Sequence, residues 1–103
     1  MTKNENGVYL DYQTEIVAQR GRSRAEVEIA KCDDGLFRFS IGLHYSYGGF
    51  CGPITDEGNG YATYAEAKTA GIANLLEQFP TAWESEPESV HTELRDLRSQ
   101  VLT

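Results

Sequence analysis

The chain has 103 residues, of which 40% are hydrophobic and 11% aromatic, as expected for one folded domain rather than a disordered segment. It contains no apolar run of the length that a transmembrane helix needs and no apolar N-terminal signal, so we predict a cytoplasmic protein without membrane contact. The formal net charge is −7, and residues 56–103 carry nine acidic but only three basic groups, which repels phosphate backbones and favours a basic protein partner or simply solubility.

A single domain is predicted over residues 1–103, and its first element is a strand that begins at Val8. Even-numbered positions from Val8 to Ala18 are mostly apolar, and such alternation is typical of a strand with one face on a core. This pattern places the side chain of Ile16 in the core. The polar residues 1–7 are predicted to be disordered.

Two strands with clear alternation follow, and the length of the loop between them determines which residues pair across the two strands. A two-residue loop would place Ile29 beside the polar Ser40, because paired residues share a face of the sheet. A three-residue loop with Gly35 at positive φ places Ile29 beside Phe39 instead, so we predict that loop. The two strands cover residues 24–32 and 36–47.

The glycine-rich residues 48–60 are predicted to form a loop. A short strand around Ile54, and another at Tyr61, are also consistent with the sequence. Thr63 and Glu66 then match a capping box, which predicts a helix from about Tyr64 to Phe79. This order predicts an α+β fold. It is an antiparallel three- to four-stranded meander followed by two helices on one face of the sheet.

The last helix is predicted over residues 86–102, after an inter-helix linker at 80–88. Its apolar positions are spaced four, three and four residues apart, which gives a narrow stripe like a coiled-coil seam. Packing on the first helix and a homodimer interface are both consistent with that stripe. The four positions are Val90, Leu94, Leu97 and Val101.

Residues that could carry chemistry are sparse. A zinc site needs four convergent ligands, usually with paired cysteines, whereas Cys32, Cys51, His44 and His91 are isolated. Neither a Gly-x-Ser-x-Gly elbow nor a phosphate-binding Gly-x4-Gly-Lys motif is present. We therefore predict a protein that is not an enzyme, with no metal, no cofactor and two reduced thiols.

Nucleic-acid binding is an alternative that rests on Arg20, Arg22 and Arg24, the basic cluster of the first turn. An RNA-binding sheet displays aromatic side chains on its open face, but here the strand aromatics share the predicted core face. Three arginines set against a charge of −7 give little drive from counterion release, so nucleic acid is a disfavoured partner.

One stretch, from Leu36 to Phe79, resembles known proteins. It joins an alternating strand, the turn GGFCGP and the sequence YATYAEAKTAGIANLLEQF. The Thr-x-x-Glu-Ala step into an alanine-rich helix resembles HicB-like antitoxin domains, and the order of elements is similar to small anti-CRISPR and other mobile-element proteins. The resemblance implies a small protein that acts by occupying a partner's surface.

The leading hypothesis is a non-enzymatic inhibitor from a phage or mobile element that docks an acidic surface on a basic, nucleic-acid-handling protein. Exposed carboxylates supply the charge and two aromatic side chains the anchors. A homodimeric accessory protein joined through the last helix remains an alternative. The predicted contact residues are Tyr47, Phe50, Asp56, Glu57, Glu84, Glu86 and Glu88.

Overall fold

The computed structural model describes residues 3–80 and 85–102, which form one four-stranded antiparallel sheet followed by two helices. The strands lie in sequence order, so the sheet is a meander. The predicted α+β architecture is confirmed. The elements are β1 (Gln13–Arg20), β2 (Ser23–Lys31), β3 (Phe37–Tyr45), β4 (Gly48–Cys51), α1 (Tyr64–Gln78) and α2 (Glu88–Leu102).

The pairing of β2 with β3 follows the predicted register. Ile29 pairs with Phe39, which puts apolar side chains of both strands on the face that the helices cover. The loop closes with hydrogen bonds from the Gly35 amide to the Cys32 carbonyl (2.9 Å) and from the Cys32 amide to the Leu36 carbonyl (2.7 Å). Gly35 has φ 86°, so the three-residue loop with a left-handed glycine is confirmed.

The predicted orientation of β1 is wrong. A one-residue bulge lies between Ile16 and Ala18, and it reverses which positions face the helices. Ile16 pairs with Glu26 on the uncovered face and is 54% exposed. Glu15 points towards the helices instead, where its carboxylate accepts a hydrogen bond from the Tyr64 hydroxyl at 2.9 Å.

Strand β4 lies inside the segment that was predicted to be a loop. Phe50 of β4 pairs with Leu43 of β3, and the chain then leaves the sheet edge. Ile54 lies outside any strand and is buried. Tyr61 returns to the edge of β3, where it exchanges two main-chain hydrogen bonds of 2.8 Å with Phe37.

Helix α1 begins where the capping box predicts. The Thr63 hydroxyl accepts a hydrogen bond from the Glu66 amide at 3.1 Å, which satisfies one free donor of the first turn. The helix buries Ala67, Gly71 and Leu75 against the sheet. Small side chains on this face let the helix approach β2 and β3 closely.

Helix α2 packs mainly on β1 rather than on the first helix. Its narrow apolar stripe enters the same core as the sheet. Glu93 fastens the helix to both hairpin turns at one end of the sheet. Its carboxylate accepts hydrogen bonds from the Ser23 hydroxyl (2.8 Å), the Ser46 amide (2.9 Å) and the Ser46 hydroxyl.

A second, smaller hydrophobic cluster lies on the opposite face of the sheet and joins Tyr9, Ala30, Cys32 and Ile54. Residues 3–9, most of which were predicted to be disordered, fold back here, and the Tyr9 amide donates to the Ile54 carbonyl at 2.8 Å. This segment covers the part of that face around Ala30, whereas Ile16, farther along the same face, is 54% exposed. No helix within the described residues is long and apolar enough to cross a membrane.

Candidate partner-binding surfaces

The two carboxylates of the acidic loop that was predicted to contact a partner, Asp56 and Glu57, have different environments in the structure. Asp56 accepts hydrogen bonds from the Tyr9 hydroxyl (2.6 Å) and the Lys3 ammonium group (3.0 Å), and both contacts hold the pKa of its carboxyl below the ordinary value. Lys3 also pairs with Asp33 at 2.6 Å. Asp56 therefore fixes the N-terminal segment, whereas the neighbouring Glu57 is exposed.

The aromatic side chains predicted as anchors do not flank this loop. Tyr47 is exposed at the turn between β3 and β4, while Asp56 is tied to residues near the beginning of β3. Phe50 is half-buried and packs against the main core opposite Leu43. The predicted anchors and the acidic loop thus belong to different ends of the sheet.

The acidic residues before the last helix are only partly described. Glu84 lies outside the described residues, and Glu86 is half-buried just before α2. Glu88 begins α2 and pairs with Arg95 at 3.0 Å, with both side chains largely exposed. An exposed pair of this kind contributes little to stability and leaves both groups accessible.

The apolar stripe proposed as a dimer interface is occupied within the chain. All four side chains are buried in the core formed with the sheet, so pairing with a second copy through them would first remove them from that core. Intramolecular packing accounts for the narrow stripe, although the partner is the sheet rather than the first helix. The four residues are Val90, Leu94, Leu97 and Val101.

The three arginines of the first turn do not form one basic patch. The side chain of Arg20 reaches α2 and lies 3.9 Å from the Asp96 carboxylate. Arg24 lies on the uncovered face and pairs with Glu26 at 3.2 Å. Arg22, at the exposed turn itself, adds a single charge. This division weakens the case for a phosphate-binding site.

The half of the sheet that neither helix nor N-terminal segment covers forms a distinct surface, which we call the acidic sheet face. At its centre the Glu26 side chain lies flat across β3, because Gly42 opposite has no side chain. A Cβ atom at Gly42 would lie 3.0 Å from Glu26 Oε1. Glu26 is only 6% exposed. Its carboxylate pairs with Arg24 and lies 3.6 Å from Nε2 of His44.

Glu28 lies beside Glu26 on this face and has a different environment. Partial burial raises the pKa of the Glu28 carboxyl, and the neighbouring Glu26 charge raises it further. The Ser40 hydroxyl opposite and the nearby His44 act in the other direction, but the pKa remains raised. Glu28 is therefore a partly desolvated carboxylate whose negative charge is poorly compensated. The acidic sheet face comprises Ile16, Arg24, Glu26, Glu28, Ser40 and His44.

The sequence predicted the faces of β2 and β3 correctly but placed Ile16 in the core, and of these residues it selected only Arg24 as a candidate contact, for nucleic acid. The predicted register, with Ile29 opposite Phe39, implies Glu28 opposite Ser40 and Arg24 opposite His44, as in the structure. The signal that could have found the site was the glycine in the middle of β3, directly opposite a glutamate. A glycine inside a strand often marks a close approach of another group.

Within residues 3–80 and 85–102, no group of three or more histidine, cysteine or acidic side chains is arranged to hold a metal ion. Cys32 is buried and Cys51 is exposed, and neither is in a disulfide. Comparison of the chain with protein-family models, with curated proteins and with solved structures finds no match.

Proposed function

We propose that this chain is a non-enzymatic protein-binding module that docks an acidic surface on a basic, nucleic-acid-handling protein, as an inhibitor from a phage or mobile element. The docking surface is the acidic sheet face. The resemblance of residues 36–79 to antitoxin and anti-CRISPR proteins points in the same direction. The observation that carries the proposal is the state of one carboxylate at the centre of that face.

That carboxylate is Glu28. It is partly desolvated beside Glu26, and no cationic side chain within the described residues forms an ion pair with it. A lysine or arginine of a partner would supply the missing positive charge at a position where water already screens it poorly. Ile16 pairs with the neighbouring Glu26 on the same face and offers apolar surface, which a protein interface places at its centre.

The chemistry of this face also indicates the kind of partner. A protein surface that binds phosphate backbones is rich in lysine and arginine, and an acidic protein can cover it by the same electrostatic attraction. The net charge of −7 would steer the encounter, and the acidic sheet face would fix its geometry. Such a complex should form quickly and weaken as salt rises.

The test compares two charge reversals that change the net charge equally. Glu28→Lys alters the acidic sheet face, and the control Glu77→Lys alters an exposed position on α1, on the other side of the sheet. Each tagged variant is used to capture proteins from nuclease-treated bacterial lysate with elution by salt. A urea melt verifies that each variant is folded.

The proposal predicts that wild type and Glu77→Lys retain the same basic protein, and that Glu28→Lys loses it. Equal loss in both variants would show that net charge alone is responsible. Retention by Glu28→Lys with an unchanged salt elution, or capture of no protein by the wild type, contradicts the proposal.

A further inference from the structure

Exposed apolar side chains lie in β1 and in the segment just before it. Ile16 of β1 is 54% exposed, and Leu10 and Tyr12, which precede the strand, are 56% and 44% exposed. Ile16 projects on the same face as Glu26, away from the helices. An edge strand with exposed apolar side chains is a template for pairing with another strand.

The main-chain groups of this edge can be assigned from the hairpin. Arg20 and Ser23 close a two-residue turn, so the main chain of the preceding Gln19 points away from β2. The bulge after Ile16 reverses the alternation, so Thr14 and Ile16 direct their N–H and C=O groups outward before it. These groups face the side of β1 where the described part of the chain adds no further strand.

One end of the edge is already protected within the chain. The Gln100 side chain of α2 accepts a hydrogen bond from the Gln19 amide (2.9 Å) and donates one to the Gln19 carbonyl (3.0 Å). This side chain occupies the position that a neighbouring strand would take. Pairing with another strand is therefore confined to the part of the edge before the bulge.

We infer that two copies of this chain pair through this part of the edge, as antiparallel strands around a twofold axis at Thr14. In that register Thr14 faces Thr14 of the second copy, and Tyr12 faces Ile16 of the second copy. Both are favourable cross-strand pairs. The main-chain groups of Thr14 and Ile16 point outward, and we infer the same direction for Tyr12 by continuing the alternation of β1 by one step. Gln13 then faces the Glu15 carboxylate of the second copy.

Charge selects this register over its neighbours. Sliding one strand by two residues in one direction moves the twofold axis to Gln13 and places Asp11 directly opposite Glu15 of the second copy. Sliding it by two residues in the other direction places Glu15 opposite Glu15 of the second copy. Like charges in directly opposed positions destabilise a pair of strands, so of these three registers the one centred on Thr14 is favoured.

The pairing joins the two sheets edge to edge, with both helix layers on one side and both acidic sheet faces on the other. The contact involves about five residues of each copy, so it belongs to the small and weak class of interfaces. The inference does not depend on the proposed function, because it concerns a second copy of the same chain.

Sedimentation velocity from about 10 μM to about 1 mM tests it, because a weak dimer dissociates on dilution. The weight-average mass should rise from the monomer value of 11.5 kDa towards twice that value. Thr14→Pro removes an outward N–H that the monomer does not use, and Ile16→Lys adds a charge to the edge. Both variants should stay monomeric, whereas Leu102→Lys, at a site 59% exposed on α2, should dimerise like the wild type.

A disulfide tests the register itself. Residues in a hydrogen-bonded antiparallel pair have Cα atoms about 5.5 Å apart, within the range for a disulfide. In a Cys51→Ser background, Thr14→Cys should therefore give a cross-linked dimer with oxidised glutathione, and Gln13→Cys should give several-fold less. A wild type that is monomeric at the highest concentration overturns the inference, and so does equal cross-linking of the two cysteine variants.

Discussion

Replacement of Gly71 by alanine should destabilise the protein, although alanine is the better helix former. A Cβ atom at this position would lie 2.5 Å from Val27 Cγ1 and 3.3 Å from two carbon atoms of the Phe39 ring. Carbon atoms in contact are about 3.5–4.0 Å apart, so the helix must retreat or Val27 must leave its rotamer. Overpacking typically costs about 1–3 kcal/mol, and a separation as short as 2.5 Å belongs to the upper part of that range, about 2–3 kcal/mol. The higher helix propensity of alanine returns about 1 kcal/mol.

We expect a net loss of about 1–2 kcal/mol in the free energy of unfolding, measured by urea denaturation at constant m value. Ala73, on the exposed side of the same helix, provides the control, because Ala73→Gly should cost about 1 kcal/mol through propensity alone. In the double variant Gly71→Ala with Val27→Ala, the new methyl group has space, so the two changes should be less costly together than their sum. A Gly71→Ala variant as stable as the wild type, or strict additivity, would refute this account of the contact.

Two further predictions concern local interactions. The pKa of Asp56 is lowered in the folded state, so its contribution to stability is present above the unfolded value of about 4 and is lost as pH falls through the folded value. Asp56→Asn should therefore flatten the acid-side dependence of the urea midpoint, while Glu57→Gln, at an exposed neighbour, should leave it unchanged. Thr63→Ala removes the cap of α1 and should cost about 1 kcal/mol in thermal or urea unfolding, whereas the exposed Thr69→Ala, inside the same helix, should stabilise by about 0.5 kcal/mol through helix propensity.

The pairing of β2 with β3 could be predicted because two independent constraints agreed. Alternation fixed the faces of both strands, and the requirement that paired residues share a face excluded the shorter loop. Gly35 then supplied the left-handed conformation that the remaining loop needs. The start of α1 could also be predicted from the sequence, because a cap at Thr63 depends only on residues of the first helical turn.

The orientation of β1 could not be predicted, since it depends on a bulge that no local pattern signals. Without the bulge, the apolar even positions would share one face with Ala18, and Ile16 would be buried. The cost of exposing Ile16 is offset elsewhere, because Glu15 gains the Tyr64 hydroxyl and lies 3.7 Å from Lys68. Tertiary partners of this kind are visible only when α1 is in place.

The contact of Asp56 was missed for a related reason. An aspartate in a polar loop is usually solvated, and its sequence neighbours give no sign of a partner 47 residues away. The loop residues 52–60 cross the face of the sheet so that Ile54 meets Tyr9, and the same crossing brings Asp56 to the Tyr9 hydroxyl. The sequence therefore identified an acidic loop but not which of its two carboxylates is already engaged.

The acidic sheet face is harder to explain by stability than any other part of the fold. Desolvating a carboxylate costs free energy, and exchange of a paired charge for a well-packed apolar group is often neutral or stabilising. Arg24 and His44 offset that cost for Glu26, but Glu28 has no comparable partner within the described residues. A threonine or valine would suit this central strand position better than Glu28 does. Features that break a local rule without a compensating contact concentrate at functional sites. Glu28 is such a feature: among the described residues no cationic side chain forms an ion pair with it, and it lies on the face of the sheet opposite the helices.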